Sequence, residues 1–250
     1  LLLSVTLYIV IPLAIASLVL LFAPAAASTA PAPLRPNVLF IAVDDLRVNL
    51  GCYGDPVART PHIDRLAARG TVFTRAYTQQ AVCNPSRQSL LSGRRPDSIK
   101  VWDLNTLFRK SAPDVVSLPE HFKLNGYFAQ SFGKIYHGST GMNDPQSWSV
   151  PEQFDHVEKR DDYRLPENRA PTKGQKAAAV EFVDASDDDY RDGSVAAGAV
   201  AALEDFSRAP ANEQKPFFLA VGIRKPHLPF TGPKRYRDLF EGVDIPPPAP

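Results

Sequence analysis

Three apolar runs organise the chain. Residues 37–43, Asn-Val-Leu-Phe-Ile-Ala-Val, are continuously apolar and rich in β-branched side chains, the pattern of a central parallel strand covered on both faces. Tyr127 to Phe132, broken by Gln130 and Ser131, reads as a second strand run, and residues 216–221 as a third, again a buried strand. Helical stretches precede the second and third runs. Ser117-Leu118-Pro119-Glu120 opens one helix that Gly126 closes, and an Ala-rich segment from about Ser194 to Phe206 forms the other. Thr60-Pro61 starts a further helix, with Ile63, Leu66 and Ala67 as its apolar face and Gly70 as its end. Thr71 to Tyr77 alternates and reads as a strand. This order predicts an α/β fold with a mostly parallel central sheet and helices on both faces.

Open sheets of this kind place ligands beyond the carboxyl ends of their strands, so the residues after each run matter most. The first run stops at Asp44-Asp45, two carboxylates that repel each other unless a cation or water compensates them. Oxygen ligation favours Ca²⁺ or Mg²⁺ over zinc. Gly133-Lys134-Ile135-Tyr136-His137 follows the second run, with Lys134 and His137 three apart and able to share one face of a turn. The third delivers Arg224-Lys225-Pro226-His227-Leu228-Pro229-Phe230 to the same end. Cys83 stands just before a proline able to open a helix, where outward-pointing N–H groups attract anions. Each has a plainer reading: a solvated Asp pair, surface charges, a rigid His loop, and a Cys52–Cys83 disulfide in an oxidising compartment.

Composition bounds the rest. With 250 residues, 44% hydrophobic and 22% charged, the chain is of ordinary globular type, and a net charge of +1 gives no reason to expect nucleic acid as a partner. Leu1 to Phe22 is apolar, and the alanines after it fit a small-x-small cleavage pattern, so residues 1–27 read as a signal peptide or an uncleaved membrane anchor. The cleaved signal is favoured. Either way the remainder is exported, to a secreted, periplasmic or lysosomal location, with a membrane role only through the N-terminal segment. Residues 28–35 read as a linker and 36–250 as the folded part. The first residue is Leu1 with Met142 the only methionine, and residues 245–250 are rich in proline, so a fragment open at both ends and lacking its C-terminal portion is expected. Trp148 to Lys176 reads as an irregular surface excursion. The acidic run Asp184 to Asp192 lacks EF-hand spacing and reads as a solvent-facing loop leading into a helix. His62, His121 and His156 carry no pattern of their own.

The segment Cys83-Asn84-Pro85-Ser86-Arg87, followed by Leu91-Ser92-Gly93, resembles the signature of the type I sulfatases. Residues 37–45, Gly51-Cys52-Tyr53-Gly54, Thr60 to Asp64, Gly133-Lys134-x-x-His137 and Lys225-Pro226-His227-x-Pro229 resemble that family too. Gln79 to Cys83 and Gly93 to Asp97 are similar to its iduronate-2-sulfatase branch. The resemblance implies an alkaline-phosphatase/sulfatase-like fold and conversion of Cys83 to formylglycine by the formylglycine-generating enzyme, which leaves Cys52 unpaired. It implies a metal, Ca²⁺ with Mg²⁺ as the alternative, held by Asp44, Asp45 and residue 83. Lys134 then lies on the sulfate, His137 on the formylglycine or sulfate oxygens, His227 supplies the leaving group's proton, and Arg87 steadies the local negative charge. The implied reaction hydrolyses sulfate esters of a sulfated saccharide: a hydrated aldehyde attacks sulfur, and its second hydroxyl collapses to expel sulfate. Family members carry further metal ligands, an Asp followed by Asn or His, and another lysine; no such pair follows His227, so an incomplete metal site is expected. Two alternatives remain: a phosphonate or phosphate ester hydrolase of the same superfamily, and a truncated carbohydrate-binding protein without turnover.

Overall fold

A computed structural model describes residues 35–138, 142–153, 163–169, 176–210 and 215–245. The chain divides into Leu1–Pro36 and Asn37–Pro250. The signal or anchor segment, nearly all of the linker, and His156 lie outside the described residues.

The strands are β1 (Val38–Val43), β2 (Phe128–Gly133), β3 (Val180–Val183), β4 (Phe217–Ile223) and β5 (Phe230–Pro233). The α-helices are α1 (Pro61–Ala67), α2 (Cys83–Ser92), α3 (Pro96–Ile99), α4 (Leu118–Leu124), α5 (Arg191–Arg208) and α6 (Lys234–Asp238). The main sheet runs β1–β4–β2 with every pair parallel; Phe40 stands opposite Ala220, and Gln130 opposite Leu219. The expected parallel sheet with helices on both faces is present.

Period-two alternation sorts β4 between two layers. Phe218 and Ala220 join Ala129, Ile135, Tyr136 and Trp148, with Leu91 of α2 and Phe122 of α4 on the same side. The Phe122 and Phe218 rings stack at 4.8 Å between centroids. Phe217, Leu219 and Val221 face the other way, against Val195, Ala199, Ala202 and Phe206 of α5. Those helical positions recur at three and four residues, so one stripe of α5 is buried while Val200 stays in solvent. α4 begins with a capping box: Ser117 Oγ accepts from Glu120 N–H, and the Glu120 carboxylate accepts from Ser117 N–H.

Several expectations need correction. Strand β1 is covered on one face only: α5 packs on β4 and β2, leaving Leu39 and Ile41 47% and 54% exposed. Thr71–Tyr77 is no strand. Its alternating residues find no neighbouring strand edge among the described residues, and Phe73 and Tyr77 lie in solvent. The apolar face of α1 is not buried either, for Ile63 and Leu66 remain exposed. Trp148, placed at the start of a surface excursion, is a core residue packed edge-on to Tyr136. Beyond it the chain pairs with β2, where Ser149 N–H donates to Ala129 O at 2.8 Å and Gly133 N–H to Gln153 O at 2.8 Å. A second parallel sheet, β3 with β5, was not read from the sequence at all.

Candidate functional site

The carboxyl ends of β1, β4 and β2 and the start of α2 meet at one place. Asp44, 4% exposed, continues β1 by donating its N–H to Ile223 O at 2.9 Å. Its two carboxylate oxygens are divided between two cations: Oδ1 accepts from Arg87 Nη2 at 2.7 Å and Oδ2 from Lys134 Nζ. Burial works to raise the Asp44 pKa, but the Arg87 guanidinium and Lys134 ammonium outweigh it and hold the carboxyl below its ordinary value. Arg87 also donates through Nη1 to the backbone carbonyls of Lys134 and Ile135. Helix α2 is thereby tied to the end of β2.

Cys83 occupies the first turn of α2, preceded by Val82 in extended conformation. Its Sγ lies 3.7 Å from Lys134 Nζ and 4.0 Å from Asp45 Oδ1. Both Cys83 and Cys52 are free thiols, which disposes of the disulfide. Asp45 adopts φ 55°, an uncommon conformation for a residue with a Cβ, and its side chain stays exposed above the buried Asp44. His227 Nε2 stands 3.9 Å from Asp45 Oδ2. Its Nδ1 lies 2.6 Å from Leu228 O; a carbonyl only accepts, so Nδ1 carries the proton of that bond and Nε2 is left facing the site.

His137 shares this field. Burial, then the Lys134 ammonium and Arg87 guanidinium, hold its imidazole below the usual histidine range, with Asp44 opposing and His227 adding to the effect. All seven residues singled out in the sequence thus belong to one electrostatic neighbourhood. Lys134 and His137 are linked through this field rather than by a direct hydrogen bond.

Asp44, Cys83 and His227 each offer a donor atom within 4.8 Å of the others. Donors at that spacing can reach a common cation at the 2.3–2.6 Å typical of Ca²⁺ ligation, and Asp45 adds a further oxygen beside them. A thiol is too soft a ligand for such an ion. Oxygen in place of sulfur at position 83 makes the set fit a hard cation. Asp44, Asp45, Cys83 and Arg87 line a cleft of about 470 Å³ together with Thr78, Gln80 and Ser86.

A family model for the sulfatases matches residues 36–247. The chain belongs to the sulfatase family. Among relatives, the chain is 39% identical over 220 residues to iduronate 2-sulfatase of Homo sapiens, covering 84% of this chain and 39% of that protein. It therefore spans about two-fifths of the length of that curated relative. A solved structure described as a complex with its substrate D-glucosamine-2-N,6-O-disulfate aligns with TM-score 0.59 at 22% identity, covering 86% of this chain and 40% of the other. The phosphonate monoester hydrolase of Agrobacterium radiobacter aligns with TM-score 0.62 at 23% identity, covering 85% and 45%. Similarity at that identity establishes a shared fold.

Two polar groups escaped the sequence reading. Asn84, directly after Cys83, is fully buried and donates to Asp103 O and Thr106 O, pinning the turn that carries Cys83 to the following loop. Asp192 was assigned to a solvent-facing loop, yet its carboxylate accepts from Arg224 N–H at 2.8 Å and Lys225 N–H at 2.7 Å. The helix starts at Arg191, earlier than the expected Ser194, which puts Asp192 in its first turn, where a carboxylate is favoured.

Proposed function

We propose that the chain is the catalytic portion of an exported sulfuric ester hydrolase acting on a sulfated saccharide of iduronate-2-sulfate type. What supports this reading most is the seating of Cys83 at a helix N-terminus, 3.7 Å from Lys134 Nζ and 4.0 Å from Asp45 Oδ1. That geometry suits a nucleophile held between a cation and a metal-binding carboxylate.

In the proposed site Asp44, Asp45 and residue 83 hold Ca²⁺, with Mg²⁺ as the alternative, and the ion would draw charge from the sulfate oxygens. Cys83, oxidised by the formylglycine-generating enzyme, supplies a hydrated aldehyde oxygen as the nucleophile. Lys134 is already fixed by Asp44, so its positive charge is aimed at the incoming anion at no cost in reorganisation. Arg87 keeps Asp44 ionised and in place through its fork of donors. His227, with Nδ1–H committed to Leu228 O, acts as the imidazolium: its Nε2–H faces the departing alkoxide and gives up that proton, leaving the neutral ring with Nδ1–H still bonded. His137, whose depressed pKa leaves it neutral near pH 7, accepts the proton released when the second hydroxyl collapses and sulfate leaves.

The test begins with peptide mass spectrometry across Ala81–Arg94 on protein made together with the formylglycine-generating enzyme. An aldehyde or its hydrate at position 83, with turnover of a saccharide sulfate in Ca²⁺, is the expected result. A plain thiol under those conditions rejects the mechanism and leaves a binding protein without turnover. Faster cleavage of a phosphonate or phosphate ester than of any sulfate ester moves the assignment to that chemistry instead.

A further inference from the structure

His227 is carried by a loop, Arg224 to Pro229, that follows the last turn of β4. A loop does not hold an imidazole to a fraction of an ångström unless its own backbone is anchored. The anchor comes from another element. Asp192 is the second residue of α5, and its two oxygens each take one backbone N–H: Oδ1 from Arg224 at 2.8 Å and Oδ2 from Lys225 at 2.7 Å. These are charge-assisted bonds, about twice as strong as neutral ones. The N-terminal end of an 18-residue helix further favours the negative charge.

The rest of the loop closes on this point. Lys225 Nζ bonds Pro229 O at 2.5 Å and reaches His227 O at 3.4 Å, while His227 N–H donates to Arg224 O at 3.0 Å. The strand end beneath is packed backbone to backbone. A Cβ on Gly222 would collide with the Lys134 main chain, and Lys134 N–H donates to Gly222 O at 2.9 Å. The Asp192 tether is thus the last fixed point before the chain departs for His227, one strand away from Lys134.

We propose that Asp192 is a positioning residue for His227, holding its Nε2 where the leaving-group oxygen needs a proton. This rests on the sulfate-ester reading above. Two adjacent N–H donors require two acceptors, and only a carboxylate supplies both from a side chain this short. Asparagine offers one oxygen and turns its NH₂ toward the second N–H. Asp192→Asn therefore frees Lys225 or Arg224, and displacement of about 1 Å at a reacting group costs on the order of 100-fold in rate.

The experiment compares two esters in the metal-loaded, Cys83-oxidised protein: a saccharide sulfate, whose alkoxide needs the proton, and 4-nitrophenyl sulfate, whose phenolate leaves without it. Asp192→Asn should lower kcat on the saccharide sulfate about 10- to 100-fold with KM nearly unchanged, and should barely alter aryl sulfate turnover. Amide hydrogen exchange should quicken at Arg224 and Lys225. Equal losses on both esters, no loss on either, or unchanged exchange at the two amides overturns the inference. If Asp192→Asn does not fold, Asp192→Glu serves: it keeps both acceptors but pushes the loop outward, and a smaller loss confined to the saccharide ester is expected. Equal losses there overturn the inference as well. Wild-type protein inert on both esters defeats the sulfatase reading along with it, whereas an active wild type without the selective loss defeats this inference alone.

Discussion

Two buried aspartates lie in this fold with an arginine against each, and they do opposite things. Asp144 is 1% exposed and accepts from Arg109 Nε at 3.0 Å, Arg109 Nη2 at 2.7 Å and Ser147 Oγ at 2.8 Å. Arg109 spends its remaining donors on Glu120 and on the carbonyls of Pro113 and Val115. Every arm of that guanidinium is satisfied, and burial, which would lower its pKa, is overcome by Asp144 and Glu120, so its pKa rises. Two carboxylates and one cation close on themselves. At Asp44 the count is reversed: one carboxylate carries two cations, and Lys134 also reaches toward Cys83 beside an open cleft. A closed network stabilises the fold, whereas at Asp44 the charges stay within reach of a cleft, where Lys134 is shared between Asp44 and Cys83 and the exposed Asp45 stands beside them.

Removing each aspartate should separate the two roles. Asp144→Ala leaves Arg109 with Glu120 as its remaining carboxylate and deprives Arg109 Nε and Ser147 Oγ of their acceptor, at an expected cost of about 1–3 kcal/mol, read as a lowered urea midpoint, with the affinity of surviving protein for sulfate unchanged. Asp44→Asn keeps the shape but deprives Arg87 and Lys134 of their charge partner and removes a proposed metal ligand. Turnover of the sulfate ester should fall at least about 100-fold. Comparable loss of stability in the two variants with no difference in sulfate affinity would erase the contrast.

Acid sharpens the same contrast. The folded pKa of Asp44 lies below its ordinary value of 3.8, so the unfolded chain binds the proton first. Stability from this pair is complete above about pH 4 and is lost as pH falls through the folded pKa. Urea unfolding of wild type and Asp44→Asn should therefore differ most above pH 4 and converge in stronger acid. Glu152 has the opposite sign. Burial raises its pKa to about 8, against the Tyr136 N–H and with Asp144 adding to the rise. Its folded form keeps a proton that the unfolded chain gives up above 4.5, so stability declines as pH climbs from there to about 8. Glu152→Gln should stabilise by on the order of 1 kcal/mol near pH 8 and change nothing at pH 4.

The cluster around Asp44 was legible because its members sit next to strand ends and within short segments that resemble a family's motifs; for Lys134 and His227 the resemblance, not the spacing, singled them out. The Asp144 network was not. Its partners come from positions 109, 117, 120, 136 and 147, and no local pattern joins residues that meet only after β2 and α4 have packed. Asp192 escaped for the same reason, being 32 residues from the amide it holds. Continuous apolar runs identified β1 and β4, and β2 was read after the Gly126 that ends a helix, whereas the β3–β5 pair is too short and too half-buried to stand out. Thr71–Tyr77 shows the converse error, in which alternation was present and a pairing edge was not.

The smallest effect belongs to the rim of the closed network. Ser117 Oγ accepts the Glu120 N–H at 3.3 Å and lies 2.6 Å from Ser147 Oγ, which itself donates to Asp144. One hydroxyl thus serves both as the cap of α4 and as the outer link of the buried Asp144 group. A cap alone is worth about 0.5–2 kcal/mol, and Ser117→Ala should cost an amount in that range if the two uses are independent. Coupling raises the figure, and a double-mutant cycle with Ser147→Ala measures it. An interaction term near zero would mean that the network ends at Ser147 and that α4 is capped separately. A term of about 1 kcal/mol would make the helix start part of the closed cluster, in contrast to α2, whose first turn is left open to the cleft.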